Sequence, residues 1–474
     1  MMVEIDYTQQ LEHVEIIKYF VNRFMDFQSN VRSHKILQEA DDETIQRIRS
    51  TGIPKIGRPI DKVVDEMIDD VYENQMLCQH PRFFSFVPSS VSLLSIMGSV
   101  FTDIYNPHGG GWSEASGACC VEQTLVRWMC SLAGYPDTCG GIFVSGGSMA
   151  TLTALAAAKD NKLSENEFCS GTAYVSDQTH SSVAKALKII GFRKDQIRVV
   201  KSTDDFKMDV AELKKTIESD IADGKKPFAV IGSACTTNTG TIDPLDKIAD
   251  VCREYNLWFH VDGAFGGSIL VSDTYRHMLK GIEHSDSISW DTHKWLMQTY
   301  SCSTILVRDQ STLLKSFVAH PEYLDDVTNA NEHVDPWDLG IEMTRPHRSL
   351  KLWLTLQVEG SDAMAEVVDH SFHLSRLAES EVRKYPNWEI VSGAETAVIN
   401  FRYAPEGYTE AELDMLNSEI SKEMSASGYA LVLTTTLKGK KVLRLCTLIS
   451  STTDDDVAST IRKLDDIAKK ISAK

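Results

Sequence analysis

Lys294 directly follows His293 in the stretch Ser289-Trp290-Asp291-Thr292-His293-Lys294-Trp295, behind a β-like run at 286–290. A lysine so placed suits Schiff-base chemistry with an aldehyde. That chemistry also needs an acid, and the apolar run Leu257-Trp258-Phe259-His260-Val261-Asp262 ends on one. The 32 residues from Asp262 to Lys294 leave room for a helix and a second strand between them. An amine for the aldehyde and a carboxylate for a pyridinium nitrogen are the two groups that pyridoxal phosphate (PLP) requires.

The elements that must position this pair alternate in type. Apolar runs at 141–144, 172–176, 196–200, 228–232, 257–262, 285–290 and 303–307 are separated by helical stretches, which predicts a mostly parallel sheet wrapped by helices. Upstream, Leu11, Val14, Ile17, Val21 and Phe24 follow the spacing of an amphipathic helix over 8–27. Breaks at Thr51-Gly52-Ile53-Pro54 and Gly57-Arg58-Pro59 precede a second helix over 60–76. With nothing sequential to pack against, the two helices read as an arm covering another surface, such as a second subunit. After Arg348 comes a long helical run, and strands at 397–403 and 442–448 belong to a smaller α/β domain. The expected division is an arm over 1–85, a large domain over 86–348 and a small domain over 349–474.

In an open α/β sheet, ligands sit beyond the carboxyl ends of the strands. Val144-Ser145-Gly146-Gly147-Ser148 falls there and opens a helix over 149–159, offering backbone N–H groups and a hydroxyl to a phosphate; a plain tight turn is the other reading. His180, in Gln178-Thr179-His180-Ser181-Ser182, lies at the same edge and could cover a pyridine ring, or be an ordinary loop histidine. Thr237, in Thr236-Thr237-Asn238-Thr239-Gly240, could donate a hydroxyl to the cofactor or cap a helix.

The totals narrow the classes. Net charge is −19, from 48 basic and 67 acidic residues, with no long basic run, so neither nucleic acid nor an anionic membrane is an expected partner. The ten cysteines show neither C-x-x-C nor zinc-finger spacing; no metal site is expected. With no signal peptide after Met1, they read as reduced thiols of a cytoplasmic protein. The charge-free stretch 83–101 contains Pro88 and several serines and is flanked by Arg82 and Asp103, which favours a buried segment over a membrane span.

Five motifs in order carry a resemblance: His-Pro-Arg-Phe-Phe-Ser-Phe at 80–86, Ser-Gly-Gly-Ser-Met-Ala-Thr at 145–151, Asp-Gln-Thr-His-Ser-Ser at 177–182, His-Val-Asp-Gly-Ala at 260–264 and Thr-His-Lys-Trp at 292–295. Together they resemble the group II PLP-dependent aromatic L-amino-acid decarboxylases over nearly the whole chain. The likeness is greatest to bacterial tryptophan decarboxylases, including Met343-Thr344-Arg345-Pro346 and Arg348-Ser349-Leu350-Lys351. The resemblance implies fold type I of the PLP enzymes, like aspartate aminotransferase, and a homodimer with active sites at the subunit interface. It implies Lys294 as the covalent anchor, Asp262 as the pyridinium partner, Ala264 beneath the ring and His180 above it. Gly147, Ser148, Thr237, Asp291 and His293 fall at further cofactor positions, and Tyr323 on a mobile catalytic loop. Phe86, Val87, His108 and Trp337 are the implied substrate residues.

Two positions depart from the family pattern. Glu114 stands where similar enzymes carry an apolar residue, which favours a polar or smaller ring. Asp291 stands where animal members carry Asn. The expected reaction is decarboxylation of an aromatic L-amino acid, tryptophan first and phenylalanine next. The rivals are an aromatic aldehyde synthase, a glutamate-type decarboxylase and a non-enzymatic binding protein of the same fold. Intact His180 and Tyr323 argue against the first, an absent cationic clamp against the second, and intact Lys294, Asp262, His180 and Tyr323 against the last.

Overall fold

The computed structural model describes residues 7–87, 90–318 and 333–473. Among these residues, β1 (Gly140–Val144), β2 (Gly171–Ser176), β3 (Ile197–Val200), β4 (Lys226–Ser233), β5 (Trp258–Asp262), β6 (Ser287–Trp290) and β7 (Ser303–Val307) form one sheet. The strand order is β1-β7-β6-β5-β4-β2-β3. Helices Gly147–Lys162, Ser181–Ile189, Val210–Ala222 and Leu245–Glu254 lie between successive strands. Phe228, Ile288 and Ile305 are fully buried, and apolar clusters cover both faces of the sheet. Burial on both faces is why the strands read as continuous apolar runs rather than as alternation.

One strand runs against the rest. β7 is antiparallel to both β1 and β6, whereas the pairs β2–β3, β2–β4, β4–β5 and β5–β6 are parallel. The connection from β6 to β7 is one short helix, Thr292–Trp295, and a loop. It leaves and re-enters at the same end of the sheet, so β7 must reverse.

The second sheet is antiparallel, in the order β10-β11-β9-β8. Its strands are β8 (Trp388–Ser392), β9 (Val398–Tyr403), β10 (Leu433–Leu437) and β11 (Lys440–Cys446). The sequence reading found β9 and β11, which are largely buried, and missed β8 and β10, which are half-exposed and lack an apolar run. The helix Ser349–Val382 joins the two sheets and breaks at Gly360, whose φ of +81° suits glycine.

Near the N-terminus the expected helix over 60–76 is shorter. It spans Ile60–Glu66 and widens into a π-turn, Met67–Tyr72. The Asn74 amide donates to the carbonyls of Asp69 (3.1 Å) and Asp70 (3.0 Å), which closes that end. The stretch 83–101 also departs from expectation. Phe83 and Phe84 are fully buried, and backbone bonds tie residue 84 to Leu431 and Cys446. The helix Leu93–Tyr105, however, exposes Val100, Phe101, Ile104 and Tyr105. Absence of charge does not imply burial within one chain, because an apolar helix face can equally await a partner surface. Among the described residues no helix is long and apolar enough to cross a membrane.

Candidate active site

The carboxyl ends of β1, β2, β4, β5 and β6 share one edge, and a cavity of about 410 Å³ opens there. Lys294, Asp262, Asp291, His293, His180, Gly147, Ser148, Thr237 and Ala264 all line it. Residues spread over 148 positions of sequence are thus brought to one hollow by a single sheet edge.

The helix carrying Lys294 has only four residues, too few to hold a side chain by itself. Its rigidity comes from tryptophans on either side. Trp290 is fully buried and donates to Ser268 Oγ at 2.9 Å. Trp295 stacks on Phe265 with ring centroids 4.9 Å apart and donates to Ser371 Oγ at 3.0 Å. Both anchors belong to the core, so the amine enters the cavity on a fixed stem.

Lys294 Nζ lies 3.0 Å from Asp291 Oδ2. Burial lowers the affinity of the amine for its proton, but the Asp291 and Asp262 carboxylates outweigh it, and the net direction is upward. Asp262 ends β5 beside Ser289 of β6, its register partner. Its Oδ1 accepts from the Ala264 amide and the Ser289 hydroxyl, both at 3.2 Å, which fixes the carboxylate at the cavity wall. His293 Nδ1 donates to the Cys302 carbonyl at 2.8 Å, leaving Nε2 3.8 Å from Asp291 Oδ2. Burial holds this imidazole below its ordinary range, although Asp291 opposes the shift.

The glycine turn is built for close approach. A Cβ on Gly147 would lie 2.7 and 2.9 Å from the Asp291 carboxylate oxygens and 3.2 Å from Ala264 Cβ, so only glycine fits. As at any helix start, the amides of Gly147 and Ser148 have no acceptor within their own helix. His180 caps the helix Ser181–Ile189: its Nδ1 accepts from the Ser182 amide at 3.2 Å, which turns the ring toward a defined position. An amine, a pyridinium-compatible carboxylate, free amides and hydroxyls in one hollow are the donor set that PLP calls for. Asp291 Oδ1, buried and without a hydrogen-bond partner among the described residues, is the one discordant atom.

Not every expected residue joins the cavity. Phe86 is 54% exposed and, like Val87, His108 and Trp337, does not line it. Val87 packs against the large core, while the His108 and Trp337 rings face each other edge-on at 6.5 Å. Glu114 lies against Gly111, away from the cavity. Tyr323 falls outside the described residues. The sequence reading missed Tyr300, which lines the cavity and sets its ring edge-on to His293 at 5.1 Å. A tyrosine in a loop beyond the lysine motif carries no signal of its own.

The pyridoxal-dependent decarboxylase conserved domain matches residues 43–404. An aromatic-L-amino-acid decarboxylase of Bacillus atrophaeus is 34% identical over 454 residues, covering 95% of this chain and 94% of its own. Oryza sativa TDC, solved with PLP and tryptamine, superimposes with a TM-score of 0.93 at 27% identity over 99% of both chains. Rhodiola rosea 4-hydroxyphenylacetaldehyde synthase gives 0.90 at 25% identity, over 98% of this chain and 99% of that one. With Lys294 and Asp262 converging at one sheet edge, these likenesses establish that the chain belongs to the pyridoxal-dependent decarboxylases, as a PLP-dependent carboxy-lyase of the aromatic amino-acid decarboxylase family.

Proposed function

We propose that the enzyme removes the α-carboxyl group of an aromatic L-amino acid, tryptophan foremost and phenylalanine next, giving carbon dioxide and the arylalkylamine. The observation that carries this reading is Lys294 Nζ set 3.0 Å from Asp291, with Asp262 in the same cavity at the sheet edge. Similarity to enzymes solved with tryptamine and with L-tryptophan supports the choice of ring. PLP, when bound, supplies the electron sink for the pair left as carbon dioxide departs. Lys294 would anchor it, Asp262 would keep its ring nitrogen protonated, and His180 and Ala264 would pack against its ring. Gly147, Ser148, Thr237, Asp291 and His293 complete its cradle. Tyr323 delivers a proton to the α-carbon.

The active form in this reading is a homodimer in the cytoplasm. Exposed Ile17, Val21 and Met25 on the first helix, and Phe101 and Ile104 on Leu93–Tyr105, give it apolar faces to bury. Phe86, exposed on the single chain, then serves the partner's cavity, with Val87, His108 and Trp337 packed behind that surface as its support.

PLP-loaded protein incubated separately with tryptophan, phenylalanine, tyrosine, DOPA and glutamate is expected to release tryptamine or phenethylamine without hydrogen peroxide. Aldehyde with peroxide would replace this reading with an aldehyde synthase, and product from glutamate alone with an acidic-substrate decarboxylase. Tyr323→Phe is expected to slow amine release and divert product toward aldehyde; amine alone at the normal rate would remove Tyr323 from the mechanism.

Asp291→Asn is expected to tighten PLP binding by about tenfold, because an anion leaves the cradle that must receive a phosphate. Titration of the apoprotein by absorbance measures it. Weaker binding would mean that the carboxylate makes a contact the cofactor needs.

A further inference from the structure

We infer that Lys351 is a positioning residue that clamps Tyr300 in the active-site wall and thereby sets the affinity for the aromatic substrate. The inference rests on the decarboxylase reading above. Lys351 lies on the helix Ser349–Val382, only 7% exposed and outside the cavity. Its Nζ donates to the Thr299 carbonyl (2.9 Å), the Thr299 hydroxyl (2.9 Å) and the Tyr300 carbonyl (3.3 Å). All three acceptors belong to two adjacent residues, and among the described residues no carboxylate pairs with the ammonium. Burial of a cation is costly and the pull of Asp103 does not offset it, so its three hydrogen bonds are what retain it there.

The clamped segment needs such a hold. Tyr300 is 72% exposed, so packing does not fix it, yet it lines the cavity and touches His293, the neighbour of Lys294. Its place is set through its backbone. The same segment is tied from the other side by the helix Leu93–Tyr105. Thr299 N donates to Ser95 Oγ at 2.9 Å, and the Thr299 and Ser99 hydroxyls meet at 2.9 Å. That helix packs closely on the clamp, since a Cβ on Gly98 would come within 2.6 Å of Lys351 Cα. Thr299 is therefore held between two helices, and Tyr300 projects from it into the site.

The test uses the holoenzyme, L-tryptophan as probe and the variants K351M, K351R, Y300L and K351M/Y300L. K351M is expected to raise KM about tenfold with kcat changed less than threefold and the bound-cofactor absorbance unaltered. K351R is expected to recover part of the loss, since a guanidinium still donates to both carbonyls. In the Y300L background K351M is expected to change KM less than twofold, because both act through one ring. Additive effects would overturn the inference. Amide hydrogen exchange at 299–302 supplies a readout that needs no turnover: faster exchange in K351M supports the clamp, and unchanged exchange overturns it. Wild-type enzyme that releases no amine from any aromatic amino acid would overturn the substrate reading, and the exchange measurement would still decide the clamp.

Discussion

Lys294→Ala is expected to abolish carbon dioxide release, by on the order of 10⁴-fold or more. The side chain does two things that no neighbour duplicates. It is the amine at the meeting point of the cavity walls, and its charge lies 3.0 Å from Asp291 while also feeling Asp262. Alanine removes the amine proposed as the anchor and leaves Asp291 Oδ2 without its lysine, beside an Oδ1 that has no hydrogen-bond partner among the described residues. Product assays should show no amine, and gel filtration should strip the cofactor from the variant but not from wild type. Circular dichroism should be unchanged, since the supports Trp290 and Trp295 remain buried. Near wild-type turnover would sink the assignment.

The second large effect concerns stability. Arg345→Met is expected to destabilise the fold by about 3–5 kcal/mol, because it leaves a buried carboxylate without its guanidinium. Glu122 and Arg345 are almost fully buried, and Arg345 Nη2 donates to both Glu122 oxygens at 2.8 and 3.0 Å. The same guanidinium donates to the Phe143 carbonyl (2.8 Å) and the Gly109 carbonyl (2.9 Å). It thereby ties the helix Trp112–Leu132 to β1 and to the chain entering Ser349–Val382. Burial pushes the Glu122 carboxyl up, but the Arg345 charge and the hydrogen bonds from His347, Arg345 and the Phe143 amide outweigh it and hold it down to about 2. A folded value below the ordinary 4.5 means that the stabilisation is fully present above pH 4.5 and is lost as pH falls from there toward 2. In Arg345→Met the sign reverses: the buried carboxyl favours its proton, and the deficit against wild type should shrink between pH 7 and pH 5. Urea midpoints across that range measure both effects. A loss below about 1 kcal/mol at pH 7 would show that the pair is not needed. The double replacement with Glu122→Gln should recover much of the loss.

The pairing of Asp262 with Lys294 was legible because its signals are local. Asp262 ends an apolar strand, and Lys294 sits in a run of chemically unusual neighbours. The alternation of strands and helices was legible for the same reason, down to the bounds of β7. What stayed hidden depends on partners far away in sequence. Lys351 meets Thr299 across 52 positions, and Arg345 meets Glu122 across 223. Neither spacing has a pattern, so the clamp and the buried ion pair emerge only in three dimensions. Tyr300 was missed because its place is set by backbone bonds rather than by its own type. The run 83–101 was misread because composition reports that a face is apolar, not which surface covers it. Phe86, Val87, His108 and Trp337 carry the family likeness in sequence, yet one chain does not bring them to Lys294.

The reversal of β7 bears on how this protein can vary among its descendants. β6 and β7 pair directly, Ile288 opposite Leu306 and Trp290 opposite Thr304, and the stretch between them starts and finishes at one end of the sheet. His293 stitches the two sides together through the Cys302 carbonyl and the Ser303 hydroxyl. One residue more or less in that stretch must either shift the pairing, turning buried strand faces over, or move the lysine off its tryptophan supports. The helical crossovers elsewhere can lengthen without either penalty. Changes of length within residues 291–302 thus carry a cost in pairing or in the placement of the amine that changes of length in the helical crossovers do not.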